Sequence, residues 1–246
     1  MTSMQALPDP SGRTRRQRPL FAAETPVSSE ADFHAVSRPA WTFTGDFYFT
    51  RQFEDRLWFA VGDVAGKGLP AAVVMAMVQE EIERRLASCA LIQSNPVAAV
   101  QRLDAFLRPL LPPNRFVTAV IGQLRSDGTL VVANAGHCSP LIARRDGSVE
   151  RVASTGPVIG MLCSASWQSH VTRLDRDETL LVYSDGLLEA KSPSGEELGI
   201  ERIERLFTSA SKARTARQVA DRIVADAAAY ANDARDDDLT VVVVRR

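Results

Sequence analysis

Aspartates stand in this chain where strands begin and end, and their spacing suggests that several share one place in space. Gly45-Asp46-Phe47-Tyr48-Phe49 is followed by Glu54-Asp55-Arg56 and then by the apolar run Leu57 to Val61, which ends in Gly62-Asp63. If Glu54-Asp55 is the tip of a hairpin, opposed positions sum to 109, and residues 46 and 63 satisfy that sum. Directly opposed residues of an antiparallel pair point to one face of the sheet. This register therefore sets Asp46 beside Asp63 at the open end of the hairpin, and a slip of one residue would undo it. Two further carboxylates are placed alike. The run Thr179 to Tyr183 ends in Ser184-Asp185-Gly186, and Leu239 to Val244 starts directly after Asp236-Asp237-Asp238. A strand ending in Asp and an antiparallel one starting from Asp bring both to the same sheet edge.

Carboxylates gathered in this way repel and raise one another's pKa. A cation relieves the repulsion. Oxygen-only donors suit the hard ions Mg²⁺ and Mn²⁺ rather than Zn²⁺. Two such ions a few ångströms apart can activate a bridging water for attack on a phosphoester. Each Asp taken singly is also an ordinary turn residue. Asp236 to Asp238 fits that plain reading least, since three acids follow a predicted helix, whose C-terminal end disfavours negative charge.

The elements that must position these groups are legible from periodicity. Apolar β-type runs fall at 57–61, 117–121, 129–133, 179–183 and 239–244, with Asp127-Gly128 and Asp146-Gly147 as hairpin turns. In residues 69–90, Met75, Val78, Ile82 and Leu86 recur at helical spacing, with Glu80/Arg84 and Glu81/Arg85 paired four apart on the other side. Asn95 and Pro96 read as N-cap and first residue of a second helix. Val219, Ala220, Ile223, Val224 and Ala227 stripe a helix over 215–230, and a shorter one is expected at 200–208. Hairpin-joined strands with helices grouped in pairs predict an α+β fold in which helices cover the outer faces of two packed antiparallel sheets.

Composition narrows the class. The chain has 246 residues, 45% hydrophobic and 24% charged, and its 29 basic and 30 acidic residues leave a formal charge of −1. That balance gives no bulk attraction to nucleic acid or to an anionic membrane. No apolar run reaches membrane-spanning length, and the N-terminus lacks a secretory apolar core. The cysteines Cys89, Cys138 and Cys163 are odd in number and widely spaced, as in a reduced cytoplasmic protein without zinc. Residues 1–30, with four prolines and the cluster Arg13, Arg15, Arg16 and Arg18, read as a disordered tail, and 31–246 as one domain.

Six ordered blocks carry a resemblance: GDFYF, WFAVGDVAGKGLPAAVVMAM, NAGHCSPLI, TGPVIGM, LLVYSDGLLEA and DDDLTVVV. Together, over about residues 33–246, they resemble the stage II sporulation protein E-type bacterial phosphatases of the PPM superfamily, relatives of the type-2C protein phosphatases. The resemblance implies an αββα sandwich with a dinuclear Mn²⁺ or Mg²⁺ centre at the sheet edge. By matching motif, Asp63 would bridge the two metals, the Val64 carbonyl would be a backbone ligand, and Asp185 and Asp237 would complete the second site. Asp46 would be a further ligand, direct or through water, with Asp236 and Asp238 ranked below. The implied chemistry is one-step hydrolysis of phosphoserine or phosphothreonine by metal-activated water. The implied substrate is a phosphorylated STAS-domain anti-sigma-factor antagonist in a partner-switching pathway. A regulatory partner or a homodimer is compatible with this, and nucleic acid and membrane are not expected.

Some residues depart from the pattern or stay open. Asp63-Val64-Ala65-Gly66-Lys67-Gly68 lacks the histidine of the type-2C DGHGG motif, so the leaving-group acid is unassigned, and Phe49 stands where an acid is usual. The short tail suggests a standalone catalytic subunit. Gly62 to Gly68 lacks the spacing of a phosphate loop. Lys67 reads equally as a phosphate contact and as a solvated lysine at a helix entry. His137 reads as a structural or a catalytic histidine, and His34 and His170 as neither site nor switch. The turn at 66–68 with the 69–90 helix resembles the family's regulatory switch. Two rival functions remain: a non-catalytic partner-binding module on the same fold, and a phosphatase for a non-STAS signalling substrate.

Overall fold

The computed structural model describes residues 31–40, 44–53, 55–87 and 95–246. The tail read at 1–30, the hairpin residue Glu54, Cys89 and the end of the 69–90 helix lie outside these residues, as do the side chains of Arg85 and Leu86.

Strand β1 (Asp32–Arg38) precedes the hairpin β2 (Phe47–Phe53) and β3 (Arg56–Val64), followed by helices α1 (Leu69–Ala87) and α2 (Pro96–Leu107). Next come β4 (Val117–Arg125), β5 (Thr129–Ala135), β6 (Leu141–Ala143), β7 (Val149–Arg151), β8 (His170–Arg173) and β9 (Thr179–Tyr183). A short helix α3 (Asp185–Leu188), then α4 (Gly199–Ala210), α5 (Ala216–Tyr230) and β10 (Leu239–Arg245) complete the order. The strands form two five-stranded sheets, ordered β1-β10-β9-β6-β7 and β2-β3-β4-β5-β8. Every pairing between these strands is antiparallel.

Alternation along each strand decides the layers. Leu57, Phe59 and Val61 of β3 face inward with Val120 of β4, against Leu180 and Val182 of β9 and Val242 and Val244 of β10. The opposite face of β3, with Trp58 and Ala60, packs under Val74, Met75 and Val78 of α1 and Val100 and Leu103 of α2. Leu181, Val241 and Val243 face out under Ile203, Phe207, Val219 and Ile223 of α4 and α5. The result is the four-layer αββα sandwich. Near one end of the sandwich the inner faces change character. Asp63, Thr118, Ser184 and Thr240 continue the inward-pointing positions of their strands, but with oxygen in place of carbon.

Local signals behave as expected at several boundaries. Asn95 caps α2 by accepting from the Ala98 N–H at 2.9 Å, with Pro96 as first residue. Thr215 caps α5 by accepting from Gln218 N at 3.2 Å. One expectation needs correcting. Glu81 does not lie on an outer polar face: it is buried, and Arg84 covers it at 2.8 Å. Burial of the carboxylate under the guanidinium selects the i,i+3 pair over the expected Glu80/Arg84 spacing. Among the described residues no helix is long and apolar enough to cross a membrane.

Candidate active site

The β2–β3 register runs from Phe53↔Arg56 to Phe47↔Gly62, every pair summing to 109. Asp46 follows immediately outside β2, and Asp63 is the penultimate residue of β3, where it faces Thr118 of β4. Asp46 is 5% exposed, and its Oδ2 has no hydrogen-bond partner among the described residues. Burial, and then the charge of Asp63, push its pKa well above the usual carboxylate value. Asp63 is pushed up to about 7 by burial first and by Asp185 and Asp237 next. Asp185 opens α3 directly after β9, and its pKa is raised by burial and by Asp237.

Across the sandwich end, Asp237 precedes β10 and meets Lys67 Nζ at 2.9 Å, and the same ammonium donates to the Asp236 carbonyl at 3.1 Å. Asp238 has a separate task. Its Oδ1 accepts from Ala40 N at 2.8 Å and its Oδ2 from Gly45 N at 3.0 Å. Both oxygens are thus committed to the backbone just ahead of Asp46. Ser184 joins the two Asp-bearing segments: its Oγ donates to the Asp238 carbonyl at 3.1 Å and accepts from Thr240 N at 2.9 Å.

Two glycines make room at this edge. A Cβ on Gly45 would stand 2.8 Å from Asp63 Oδ1 and 3.2 Å from the Val64 carbonyl oxygen, so both oxygens face a space only glycine leaves open. Gly66 has φ +106°, and a Cβ there would collide with the Arg115 guanidinium, which also donates to the Ala65 carbonyl. A cavity of about 300 Å³ opens between these groups, lined by Asp63, Lys67, Thr118, Asp185, Asp237 and Asp238, among others. A larger groove of about 480 Å³ adjoins it and shares Lys67 and Asp237, but its walls come mostly from residues 186–195, from α5 and from residues 231–236 that follow it. The carboxylates, not the larger volume, mark the chemistry.

The fold therefore brings Asp46, Asp63, Val64, Asp185 and Asp237 to one end. His34 and His170 lie elsewhere: His34 is in β1, and His170 pairs with Glu150 at 3.1 Å. Thr118, Arg115 and the clamping role of Asp238 were not foreseen from the sequence. Thr118 falls opposite Asp63 by the β3–β4 register, but two helices separate those strands, so no turn announces it.

Among the described residues no three His, Cys, Asp or Glu side chains already stand at ligating distance. A cation would have to draw the carboxylates together. The donor set fits one nonetheless: all donors are oxygen, Asp46 holds a buried oxygen without a partner, and the mutual repulsion at Asp63 is what a cation removes.

The architecture is that of the PP2C-type phosphatase domains. It matches the SiaA-PP2C domain of Pseudomonas aeruginosa with a TM-score of 0.76, at 22% identity over 87% of this chain and 84% of that one. It also matches the RsbU and RsbW domains of Rv1364c from Mycobacterium tuberculosis with a TM-score of 0.74, at 26% identity over 88% of this chain and 60% of that one. The chain belongs to the Stage II sporulation protein E (SpoIIE) family, whose profile matches residues 54–246. In sequence it is similar to the phosphoserine phosphatase RsbU of Bacillus subtilis, 22% identical over 234 residues that cover 94% of this chain and 68% of RsbU. Of two other curated relatives it spans 40% and 41% of the length.

Proposed function

We propose that the chain is a metal-dependent protein serine/threonine phosphatase that hydrolyses phosphoserine or phosphothreonine on a STAS-domain anti-sigma-factor antagonist. The observation that carries this reading is the carboxylate cluster at the end of the sandwich, with its unpartnered Asp46 oxygen and its mutually raised pKa values, in a member of this family. Asp46, Asp63, Val64 through its carbonyl, Asp185 and Asp237 would hold two divalent cations, Mn²⁺ or Mg²⁺. When bound, such cations lower the pKa of water and offset the charge of a phosphoryl group.

The chain's own residues prepare this chemistry. Asp238 holds the Ala40 and Gly45 amides, which sets the entry of Asp46. Ser184 locks the segment bearing Asp185 to the one bearing Asp237. Lys67 rests against Asp237 and so keeps one positive charge at the cavity mouth. Positioning and electrostatics are what phosphoryl transfer asks of a protein. The STAS substrate is supported by the likeness to RsbU and by the occurrence of an RsbU and an RsbW domain together in Rv1364c. A cytoplasmic setting agrees with the free thiols of Cys138 and Cys163.

The test is hydrolysis of p-nitrophenyl phosphate with Mn²⁺, with EDTA, and by Asp63→Asn. Activity is expected with Mn²⁺ alone, and both chelation and Asp63→Asn should lower it at least roughly 100-fold. Activity that survives either treatment rules out the cation mechanism. Inactivity of the wild-type protein with every divalent metal favours the non-catalytic binding module. Phosphate release from phosphorylated STAS proteins, compared with other phosphoproteins, tests the substrate.

A further inference from the structure

The segment Asn134-Ala135-Gly136-His137 ends in a buried histidine to which the carboxylate centre assigns no task. Asn134 grips the backbone of His137 twice. Its Oδ1 accepts from His137 N at 2.9 Å, and its Nδ2 donates to the His137 carbonyl at 3.2 Å. The ring is 7% exposed, and its Nδ1 lies 2.8 Å from Thr118 Oγ1. Thr118 stands directly opposite Asp63 and lines the carboxylate cavity. One line of contacts therefore runs from Asn134 through the imidazole to a hydroxyl at the reaction site.

Burial fixes the charge of the ring. It keeps the imidazole neutral at physiological pH, so one ring nitrogen donates and the other accepts. Nδ1 is already engaged by Thr118, and Nε2 is buried without a partner at hydrogen-bond geometry. The contact with Thr118 is thus the hydrogen bond that fixes the ring on its cavity side. It ties the Thr118 hydroxyl to the buried imidazole.

We propose that His137 is a positioning residue for hydrolysis: by its hydrogen bond to the Thr118 hydroxyl, it holds the Thr118 oxygen at the wall of the carboxylate cavity, where that oxygen orients the attacking water. Thr118 orients that water and takes no proton from it. The inference rests on the phosphatase reading above and adds a second row of residues to it.

The test uses p-nitrophenyl phosphate, manganese and the full chain. Thr118→Val keeps the shape and removes the oxygen. It should lower kcat roughly 10- to 100-fold with KM changed less than about twofold. Calorimetric Mn²⁺ binding and the thermal unfolding midpoint should stay near wild type. Thr118→Ser should keep kcat within about fivefold, because the hydroxyl remains. His137→Asn, with an amide at the place of Nδ1, should keep more activity than His137→Leu. Thr118→Val/His137→Leu should be no slower than Thr118→Val alone, as expected of residues acting in series.

A Thr118→Val enzyme with wild-type kcat overturns the proposal. So does a raised KM at constant kcat, which makes the hydroxyl a phosphate donor, and so does an additive double variant. If His137→Leu fails to fold, Thr118→Val against Thr118→Ser still decides. Failure of the phosphatase reading looks different: there the wild-type protein itself is inactive.

Discussion

His137 titrates far from its ordinary range because nothing solvates an imidazolium at its site. Burial lowers its pKa from 6.5 to about 4. Between those values the unfolded chain binds a proton that the folded chain refuses, so stability is fully present above pH 6.5 and is lost as pH falls toward 4. Urea unfolding at pH 7 and pH 5 should reveal a loss for the wild-type protein that His137→Asn largely lacks. Parallel pH dependence in the two proteins would remove His137 as its source. The same residue scale explains the glycines. Gly45 is small because Asp63 Oδ1 and the Val64 carbonyl oxygen occupy the space a side chain would need. Gly66 is small because Arg115 lies across it and because its φ of +106° suits no side chain well.

At the scale of elements, the site is a meeting of strand ends. β3 delivers Asp63, β9 leads into Asp185, and β10 starts just after Asp237. Neighbouring strands alone would leave the entry to β2 free. Asp238 removes that freedom with two hydrogen bonds to backbone amides almost two hundred residues away in sequence. Hydrogen bonds to a charged group contribute about 1.5–3 kcal/mol each. Asp238→Ala should therefore cost about 2–4 kcal/mol in urea unfolding, since water can reach the Ala40 amide in part. It should lower hydrolysis as well, by loosening Asp46. Loss of stability without loss of activity would mean that the clamp serves the fold alone. Asp238→Asn keeps one acceptor and should fall between.

At the scale of the whole molecule, the apolar space between the sheets is closed off near one end by oxygen-bearing side chains. Phe59, Val61, Val120, Val182 and Val242 are among the residues buried in that space. Asp63, Thr118, Ser184 and Thr240 replace such residues near the end. The sandwich supplies rigidity where the carboxylates repel one another, so the proposed cation binding would be coupled to folding. A ligand that binds only the folded state stabilises it by mass action, about 2.7 kcal/mol at 100 times its Kd. Mn²⁺ or Mg²⁺ should therefore raise the thermal midpoint of the EDTA-stripped protein, and Asp63→Asn should lose most of that rise. An unchanged midpoint in saturating metal would mean that the carboxylates do not form a cation site in the folded chain.

Much of this was legible before any coordinates. The sum of 109 that aligns Asp46 with Asp63 follows from one hairpin tip, and it is the register observed along β2 and β3. Asn95-Pro96 announced a helix start through local capping chemistry, and Asp127-Gly128 announced a hairpin through local turn chemistry. The apolar runs and stripes marked five strands and the helices that cover them, because side-chain periodicity is written residue by residue. The family blocks added the fold and the carboxylates to watch. Other features were decided only by the tertiary structure. The short strands β6, β7 and β8 carry too few residues to display a period: β6 and β8 take their places beside the longer β9 and β5, and β7 pairs with β6 across the Asp146-Gly147 turn that the sequence did announce. Glu81 looked solvent-facing by helical spacing, but packing buried it. The pairing of Thr118 with Asp63 and the Asp238 clamp join residues with other elements between them in the chain, and the imidazole behind Thr118 lies just beyond the paired residues of the β4–β5 hairpin. A hairpin carries its register in its own turn, whereas a contact between distant segments is set by how whole layers pack, and that is why the carboxylates could be read from the sequence while the residues that hold them in place could not.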